Sequence, residues 1–238
     1  MPVAIITGAS RGLGRALAQA LAGRGWDLVL DGRNADALRA AAAELERGAP
    51  PSPGSARVEV RPGDVTDPAH RAELVAAATA LGGVDLLVNN ASALGAEPLV
   101  PLAELTVEGL REALETNVTA PLALVRAVLP ALRSAGGAVV NVSSDAAVEA
   151  YPTWGGYGAS KAALDHLSAV LAEEEPGIRV WWVDPGDLRT GLYAAAVPGD
   201  AGFGERPLPE EVVPAFLRLL DEKAPSGRYV APGLLEAR

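Results

Sequence analysis

The sequence predicts an α/β protein with a doubly wound, mainly parallel, seven-stranded sheet flanked by helices. Short β-branched or leucine-rich runs alternate with alanine-rich stretches, most of which are long enough for crossover helices. The short runs are almost continuously apolar, which is typical of strands covered on both faces. A chain of 238 residues is long enough to bury a large core but short for two ordinary domains, so we expect a single domain over residues 1–238.

The individual elements follow from these runs in chain order. The predicted strands are Val3–Thr7, Asp27–Leu30, Arg57–Arg61, Asp85–Asn89, Ala138–Ser143, Ile178–Val183 and Arg228–Val230. The predicted helices are Ala16–Ala22, Ala35–Glu46, Pro68–Leu81, Val107–Leu132 and Ala159–Glu173. The stretch from Gly48 to Ser55 is rich in glycine and proline, and is predicted to form an exposed loop before the third strand.

Composition disfavours several classes of function. A net charge of −10 would repel nucleic acid and anionic lipid, so we expect neither as a partner. The N-terminus has no basic leader and no apolar run approaches the ~18 residues of a membrane span, which favours a cytoplasmic location. There is no cysteine, and His70 and His166 are far apart, so no metal site is expected.

A glycine-rich turn follows the first predicted strand. It reads Thr7-Gly8-Ala9-Ser10-Arg11-Gly12-Leu13-Gly14 and leads into the first helix. Glycines at such a turn let the backbone approach a pyrophosphate at the helix N-terminus. The turn therefore predicts a dinucleotide site, although glycines there could also serve packing alone.

Tyr157 and Lys161 are four residues apart and share one face of a predicted helix. The chain uses arginine at nearly every basic position, with Lys161 and Lys223 as its two lysines. An ammonium beside a phenol favours the phenolate, so we expect Lys161 to make Tyr157 usable as an acid or base near neutral pH. The alternative is a Tyr–Lys pair on the surface of a helix.

These motifs resemble the short-chain dehydrogenase/reductase family of the Tyr-x-x-x-Lys type, over nearly the whole chain. The matching positions are the Thr7–Gly14 turn, Asp64, Asn89-Asn90-Ala91, Asn117, Ser144, Tyr157 with Lys161, and Pro185-Gly186. The resemblance implies a single Rossmann-fold domain that transfers a hydride between NADP(H) and a carbonyl or alcohol carbon of a small, apolar substrate.

The resemblance also implies roles for individual residues. Tyr157 exchanges the proton, Lys161 assists it, Ser144 orients the substrate oxygen, and Asn117 supports a water-linked proton path. Ser143 competes with Ser144, but neighbouring strand residues face opposite ways, and the spacing favours Ser144. The expected cofactor-binding residues are Gly8, Ser10, Arg11, Gly12, Leu13, Gly14, Arg33, Asp64, Val65, Asn90, Ala91, Tyr157, Lys161, Pro185, Gly186, Leu188 and Thr190.

The cofactor preference depends on the end of the second strand. By resemblance, Gly32 takes the place of the acidic residue that binds the adenosine 2′-hydroxyl in NAD-dependent members. Arg33, with Arg11 on the same side, would instead neutralise the 2′-phosphate of NADP(H). The alternatives are that Asp31 binds the ribose, which favours NAD(H), and that Asp64 only caps a turn. Ser92 stands where the family usually has glycine.

The substrate end is less defined by the sequence. Gly191–Pro207 is expected to form a short lid, and Tyr151, Trp154 and Tyr193 to contact the substrate. The resemblance implies a homodimer through the helices over 107–132 and 159–173, or a homotetramer. Two other functions stay open, an NAD-dependent alcohol dehydrogenase and a non-catalytic dinucleotide-binding regulatory protein.

Overall fold

The strands of the protein lie side by side in one sheet, seen in a computed structural model that describes residues 1–48 and 56–236. Within these residues there are seven strands: β1 (Val3–Ile6), β2 (Asp27–Gly32), β3 (Val58–Pro62), β4 (Leu86–Asn89), β5 (Ala138–Val142), β6 (Arg179–Asp184) and β7 (Gly227–Val230). They run parallel in the order β3-β2-β1-β4-β5-β6-β7. The order reverses between β1 and β4, which opens a crevice at their carboxyl ends.

Helices connect successive strands and cover both faces of the sheet. Their bounds are α1 (Gly12–Ala22), α2 (Ala35–Gly48), α3 (Pro68–Leu81), α4 (Val107–Leu114), α5 (Ala120–Ala135), α6 (Gly155–Glu174), α7 (Gly191–Ala196), α8 (Pro209–Asp221) and α9 (Ala231–Glu236). The predicted doubly wound α/β fold is confirmed. The predicted loop over residues 49–55 falls outside the described part of the chain.

Successive side chains along the strands point to opposite faces of the sheet, and a separate hydrophobic core lies on each face. Ala4 and Ile6 of β1 face one side and pack with α1, α2 and α8, whereas Val3 and Ile5 face the other side and pack with α3 and α5. The central strands are buried on both faces, as predicted. The two edge strands, β3 and β7, are only partly buried, because each has a neighbour on one side alone.

One continuous helix spans residues 107–135 and includes a π-helical turn, Glu115–Thr119, between α4 and α5. It is the one helix of the described residues that is long and apolar enough to cross a membrane by length and composition. The expectation that no apolar run approaches the ~18 residues of a membrane span is therefore wrong for this helix. Its apolar residues recur at helical spacing because that face covers the sheet, through Leu124, Val128 and Leu132.

Candidate active site

A cavity of about 460 Å³ lies at the carboxyl ends of the strands, extending from the ends of β2 and β3 to α7. Its size is within the usual range for small-molecule sites. The predicted residues that line it are Gly8, Ser10, Arg11, Gly12, Leu13, Arg33, Asp64, Val65, Asn90, Ala91, Ser144, Trp154, Tyr157, Lys161, Pro185, Gly186, Leu188, Thr190 and Tyr193. Gly14, Asn117 and Tyr151 are predicted site residues that lie outside this lining.

The glycine turn is fixed against the end of β4. Gly8 has a φ of +64° and Gly12 a φ of +57°, values that favour glycine. The Asn90 side-chain amide donates to the carbonyl oxygens of Thr7 at 2.9 Å and Gly8 at 3.1 Å. A Cβ at Gly14 would lie 2.5 Å from Asn90 Nδ2. Gly14 therefore serves packing, whereas Gly8 and Gly12 border the cavity.

The first turn of α1 opens onto this cavity and fits a pyrophosphate. The helix begins at Gly12, four residues earlier than predicted, because glycine disfavours helix and hides the start in the sequence. Arg11 at the N-cap is extended and makes no side-chain capping bond. The amides of this turn therefore point to the cavity, where a phosphate would accept hydrogen bonds from them.

Asp31 lies under the glycine turn, at the border of the cavity. Its side chain is 2% exposed. One carboxylate oxygen accepts the Gly8 N–H at 3.2 Å, and the other lies 2.6 Å from His70 Nε2. Because both oxygens have partners inside the protein, the structure disfavours the alternative in which Asp31 binds the adenosine ribose.

Arg33 and Asp64 lie at the adenosine end of the cavity. Arg33 is exposed and close enough to Asp64 to contribute to lowering the pKa of that carboxyl. Burial raises the pKa of Asp64, but hydrogen bonds from the amide and hydroxyl of Thr66 lower it below its usual value. Asp64 therefore does cap the following turn, as in the alternative interpretation, and it borders the cavity as well.

Arg11 borders another part of the cavity. A Cβ placed on Gly191 would lie 3.2 Å from Arg11 Nη1, so the guanidinium sits against the start of α7. A role for Arg11 beside Arg33 at a 2′-phosphate stays a prediction, because here the Arg11 guanidinium faces the β6–α7 connection. The reason is that the turn at Gly12 packs against Thr190, which brings Arg11 to the β6–α7 connection.

Tyr157 and Lys161 share the inner face of α6, as their spacing predicts. Tyr157 is 6% exposed and Lys161 is 2% exposed. Lys161 Nζ donates to the carbonyl oxygen of Val142 at 2.7 Å and lies 5.5 Å from the centre of the Tyr157 ring. The ammonium is thus held between the end of β5 and the phenol, and the interpretation as a surface pair is wrong.

Burial governs the titration of both side chains. It raises the pKa of Tyr157, and hydrogen bonds with Ser92 and Ser144 offset this only in part. Burial also lowers the pKa of Lys161 to about 8. Among the protein residues alone desolvation is the larger effect, and the expectation that Lys161 and an oxidised nicotinamide together make the phenol usable as an acid or base stays a prediction.

The two candidate serines have different partners. The hydroxyl of Ser143 donates to Asp165 Oδ1, whereas that of Ser144 donates to Asp145 Oδ1 at 3.0 Å and interacts with Tyr157. Both serines border the cavity, although strand alternation predicts that only one does. The difference arises because β5 ends at Val142 and the chain beyond it no longer alternates.

Asn117 is buried in the π-helical turn and bonded to Ser160 of α6, the helix that carries Tyr157. Its amide donates to the Ala93 carbonyl oxygen and the Ser160 hydroxyl, both at 2.8 Å. Its carbonyl oxygen accepts the Ala93 N–H at 2.8 Å and the Ser92 hydroxyl at 3.2 Å. Asn117 therefore ties the segment after β4 to α6, and its role in a proton path stays a prediction.

Aromatic and aliphatic side chains form the substrate end. Trp154 contacts Tyr157 edge to face, with ring centres 5.6 Å apart. Tyr151 is 43% exposed and outside the cavity lining, and its hydroxyl donates to Asp145 Oδ2 at 2.9 Å; its contact with a substrate stays a prediction. Lining residues that were not identified from the sequence include Leu94, Thr116, Asp145 and Asp184, and the predicted lid adds Leu192 and Ala196.

The segment 191–207 lies over this end. Tyr193 stacks on Phe203 with ring centres 6.3 Å apart, and the Arg206 guanidinium lies 4.8 Å from the Tyr193 ring. Arg206 also pairs with Asp187 at 2.7 Å and Asp200 at 3.2 Å. The segment is in place to close the cavity, and its movement as a lid stays a prediction.

Arg228 of β7 is hydrogen-bonded to residues beside the site. It was not identified from the sequence. Its Nη2 donates to the Ser144 carbonyl oxygen at 3.0 Å, and its Nε donates to Asp165 Oδ2 at 3.1 Å. The nearby Asp184 carboxylate is 3.7 Å from Nη2.

Within residues 1–48 and 56–236 no three His, Asp or Glu side chains are grouped as metal ligands; catalysis without a metal stays a prediction.

Comparison with known proteins gives consistent matches. The profile described as short chain dehydrogenase matches residues 2–200. A sepiapterin reductase of Bos taurus is 38% identical over 205 residues, which cover 81% of this chain and 74% of that protein. An uncharacterized oxidoreductase of Escherichia coli is 29% identical over 224 residues, covering 92% of this chain and 86% of that protein.

Solved structures also match. An alcohol dehydrogenase from Thermococcus sibiricus, complexed with 5-hydroxy-NADP, is 30% identical with a TM-score of 0.84, covering 97% of this chain and 95% of that one. A short-chain dehydrogenase from Sphingobium yanoikuyae in complex with NADPH is 31% identical, also with a TM-score of 0.84, covering 98% of this chain and 88% of that one.

Proposed function

Because the chain belongs to the short-chain dehydrogenase family, we propose that it is an oxidoreductase that transfers a hydride between NADP(H) and a carbonyl or alcohol carbon of a small, apolar substrate. The observation that carries this proposal is the grouping of Ser144, Tyr157 and Lys161 at one end of a cavity. The other end of the same cavity is bordered by Arg33.

A bound nicotinamide would give the hydride in reduction and accept it in oxidation, and the protein handles the substrate oxygen and its proton. The Ser144 hydroxyl donates a hydrogen bond to this oxygen as negative charge develops on it. The Tyr157 phenol gives its proton to the oxygen in reduction and takes it back in oxidation. The Lys161 ammonium stabilises the phenolate that proton donation leaves behind. Leu94, Leu192 and Ala196 favour an apolar substrate.

Two observations support NADP(H) over NAD(H). Asp31 is already bound to Gly8 and His70, while Arg33 borders the adenosine end with its cationic group. Neighbouring structures are described as complexed with NADP or NADPH, which supports binding of a nicotinamide dinucleotide.

An NAD-dependent alcohol dehydrogenase is the second candidate function. The intact Ser144, Tyr157 and Lys161 disfavour a regulatory protein without turnover. We further propose a cytoplasmic enzyme.

The first test is turnover of a panel of aldehydes, ketones and diketones, with NADPH and NADH supplied separately. We expect NADPH oxidation that falls by about 10²- to 10⁴-fold in Tyr157→Phe. Tyr229→Phe is the matched control, since Tyr229 lies on β7 and its hydroxyl donates to the Pro225 carbonyl oxygen at 2.8 Å. Turnover undiminished in Tyr157→Phe would refute the mechanism.

Cofactor preference is tested at Arg33. Arg33→Ala should weaken NADPH binding by about tenfold or more, and NADH binding much less, since only NADPH carries the 2′-phosphate. Arg39→Ala removes an exposed arginine of α2 and should change neither affinity. Equal losses for NADPH and NADH in Arg33→Ala would favour the NAD-dependent alternative.

A further inference from the structure

A buried histidine that the proposed mechanism does not use lies under the glycine turn. His70, in the first turn of α3, is 5% exposed, and its Nε2 is 2.6 Å from Asp31 Oδ1. Asp31 Oδ2 accepts the Gly8 N–H at 3.2 Å. The chain of contacts from His70 through Asp31 to Gly8 thus joins α3 and β2 to the turn that borders the cavity.

The surroundings hold this arrangement in place. The main-chain oxygen of Asp31 accepts the Ala9 N–H at 2.7 Å, so this one residue binds two successive amides of the turn. A Cβ at Gly63 would lie 2.3 Å from His70 Nδ1, so a side chain there would displace the imidazole ring. The position of Gly8 therefore depends on the orientation of the Asp31 carboxylate, which His70 fixes.

The charge of this pair also affects the cavity, because Asp31 lines it beside Gly32. With neutral His70 the pair carries one negative charge close to the place where an anionic dinucleotide would bind. With imidazolium the pair is neutral. Hydrogen bonding to Asp31 raises the pKa of His70; burial opposes this, and nearby carboxylates add to it. The charged groups around His70 are Asp31 of β2, Asp64 and Asp67 before α3, Glu73 of α3 and, beyond Asp64, Arg33.

We propose that His70 is a positioning residue for the dinucleotide: as imidazolium it neutralises Asp31 and holds its carboxylate on the Gly8 amide, so that affinity for the anionic cofactor is highest while His70 is protonated. Binding then takes up a proton wherever His70 is partly neutral in the free protein, by linkage. The inference rests on the proposed function, which makes this cavity a dinucleotide site.

The test measures binding of NADPH and NADH by the full chain from pH 6 to 9, by calorimetry in buffers of different ionisation enthalpy. We expect affinity to fall by about threefold to tenfold with rising pH, and proton uptake on binding. The phosphate monoester of NADPH titrates near pH ~6, so the effect must also be present with NADH, which lacks it.

His70→Gln keeps an amide donor near the Nε2 position but cannot carry charge. We expect its Kd for NADH to vary less with pH than that of the wild type, its proton uptake on binding NADH to be smaller, and its KM for NADPH to rise with little change in kcat. His166→Gln, the same change at the exposed histidine of α6, should behave like wild type. A thermal melt of each variant confirms folding.

The outcomes separate the two proposals. Tight binding whose Kd and proton uptake do not vary with pH in the wild type would overturn the role of His70 and leave the proposed function intact. A pH dependence of NADH binding that is as large in His70→Gln as in the wild type would overturn it equally. Failure of both dinucleotides to bind at any pH would overturn the proposed function and this inference with it.

Discussion

Tyr157 and Lys161 are held in surroundings that oppose the charged form of each. Burial raises the pKa of the phenol and lowers the pKa of the ammonium to about 8. At neutral pH the phenol is therefore protonated and the lysine is still largely charged. This state suits proton donation to a carbonyl oxygen, which is the reductive direction.

A pH dependence follows from Lys161. In reduction with NADPH, kcat/KM should be constant near neutral pH and fall as the pH rises through about 8, because the ammonium that stabilises the phenolate is lost. Lys161→Met should be slower at all pH values and lack this fall. Lys223→Met removes the other lysine and should keep the wild-type profile. An unchanged alkaline fall in Lys161→Met would assign it to another group.

The two serines after β5 should separate catalysis from stability. Ser144→Ala removes the donor to the substrate oxygen and should lower kcat by about 10²-fold, with little loss of stability. Ser143→Ala removes the hydrogen bond to the buried Asp165 and should lower the free energy of unfolding by about 1–2 kcal/mol, with a small effect on kcat. Steady-state kinetics and urea unfolding of both variants measure this, and the reverse pattern would make Ser143 the catalytic serine.

Residues with local motifs were predictable from the sequence, and residues with distant partners were not. Tyr157 and Lys161 share a helix turn, so their contact follows from spacing. Asp31 meets His70 from 39 positions away, and Arg228 meets the Ser144 carbonyl oxygen from 84 positions away. No sequence pattern links such pairs, because the sheet order alone brings them together.

At the scale of elements, strands were easier to predict than short helices. Buried parallel strands have continuous apolar runs, and their observed ends agree with the prediction to within two residues. Helix α8 was missed because Pro209 and Pro214 interrupt its pattern, and α7 is too short to show a period. The π-helical turn around Asn117 was also missed, since it changes the hydrogen bonding of one turn and not its composition.

Strand β7 contributes to stability through Arg228. Burial raises the pKa of both Asp165 and Asp184, so their charged forms need this cation. Arg228→Met should lower the free energy of unfolding by about 2 kcal/mol at pH 7.5. The loss should shrink as the pH falls, because protonation removes the uncompensated charges.

Urea unfolding at pH 7.5 and pH 5 measures this effect of Arg228. Arg39→Met breaks an exposed pair with Asp36 and should change stability by less than about 0.5 kcal/mol at either pH. A loss in Arg228→Met that is the same at both pH values would show that the arginine acts through packing and not through charge.

At the scale of the whole molecule, the helix over residues 107–135 and α6 leave apolar side chains exposed. Val107, Leu122 and Val170 are among them. We predict a homodimer through these helices, measured by sedimentation velocity at several concentrations. Leu122→Asp should shift the protein toward monomer, whereas Leu235→Asp on α9 should leave the dimer intact. A monomeric wild type would contradict this assembly.

The contact between Thr7 and Asn90 joins the two halves of the sheet. Thr7 Oγ1 accepts the amides of Asn90 at 2.9 Å and Ala91 at 3.0 Å, where β1 meets β4. The half before β4 lines the cavity with Arg33 and Asp64, whereas the half after β4 lines it with Ser144, Tyr157 and Lys161, to which the proposed function gives the catalytic roles. A chimaera joined between α3 and β4 would therefore combine the dinucleotide preference of one parent with the substrate range of another, provided that both parents keep this threonine and asparagine.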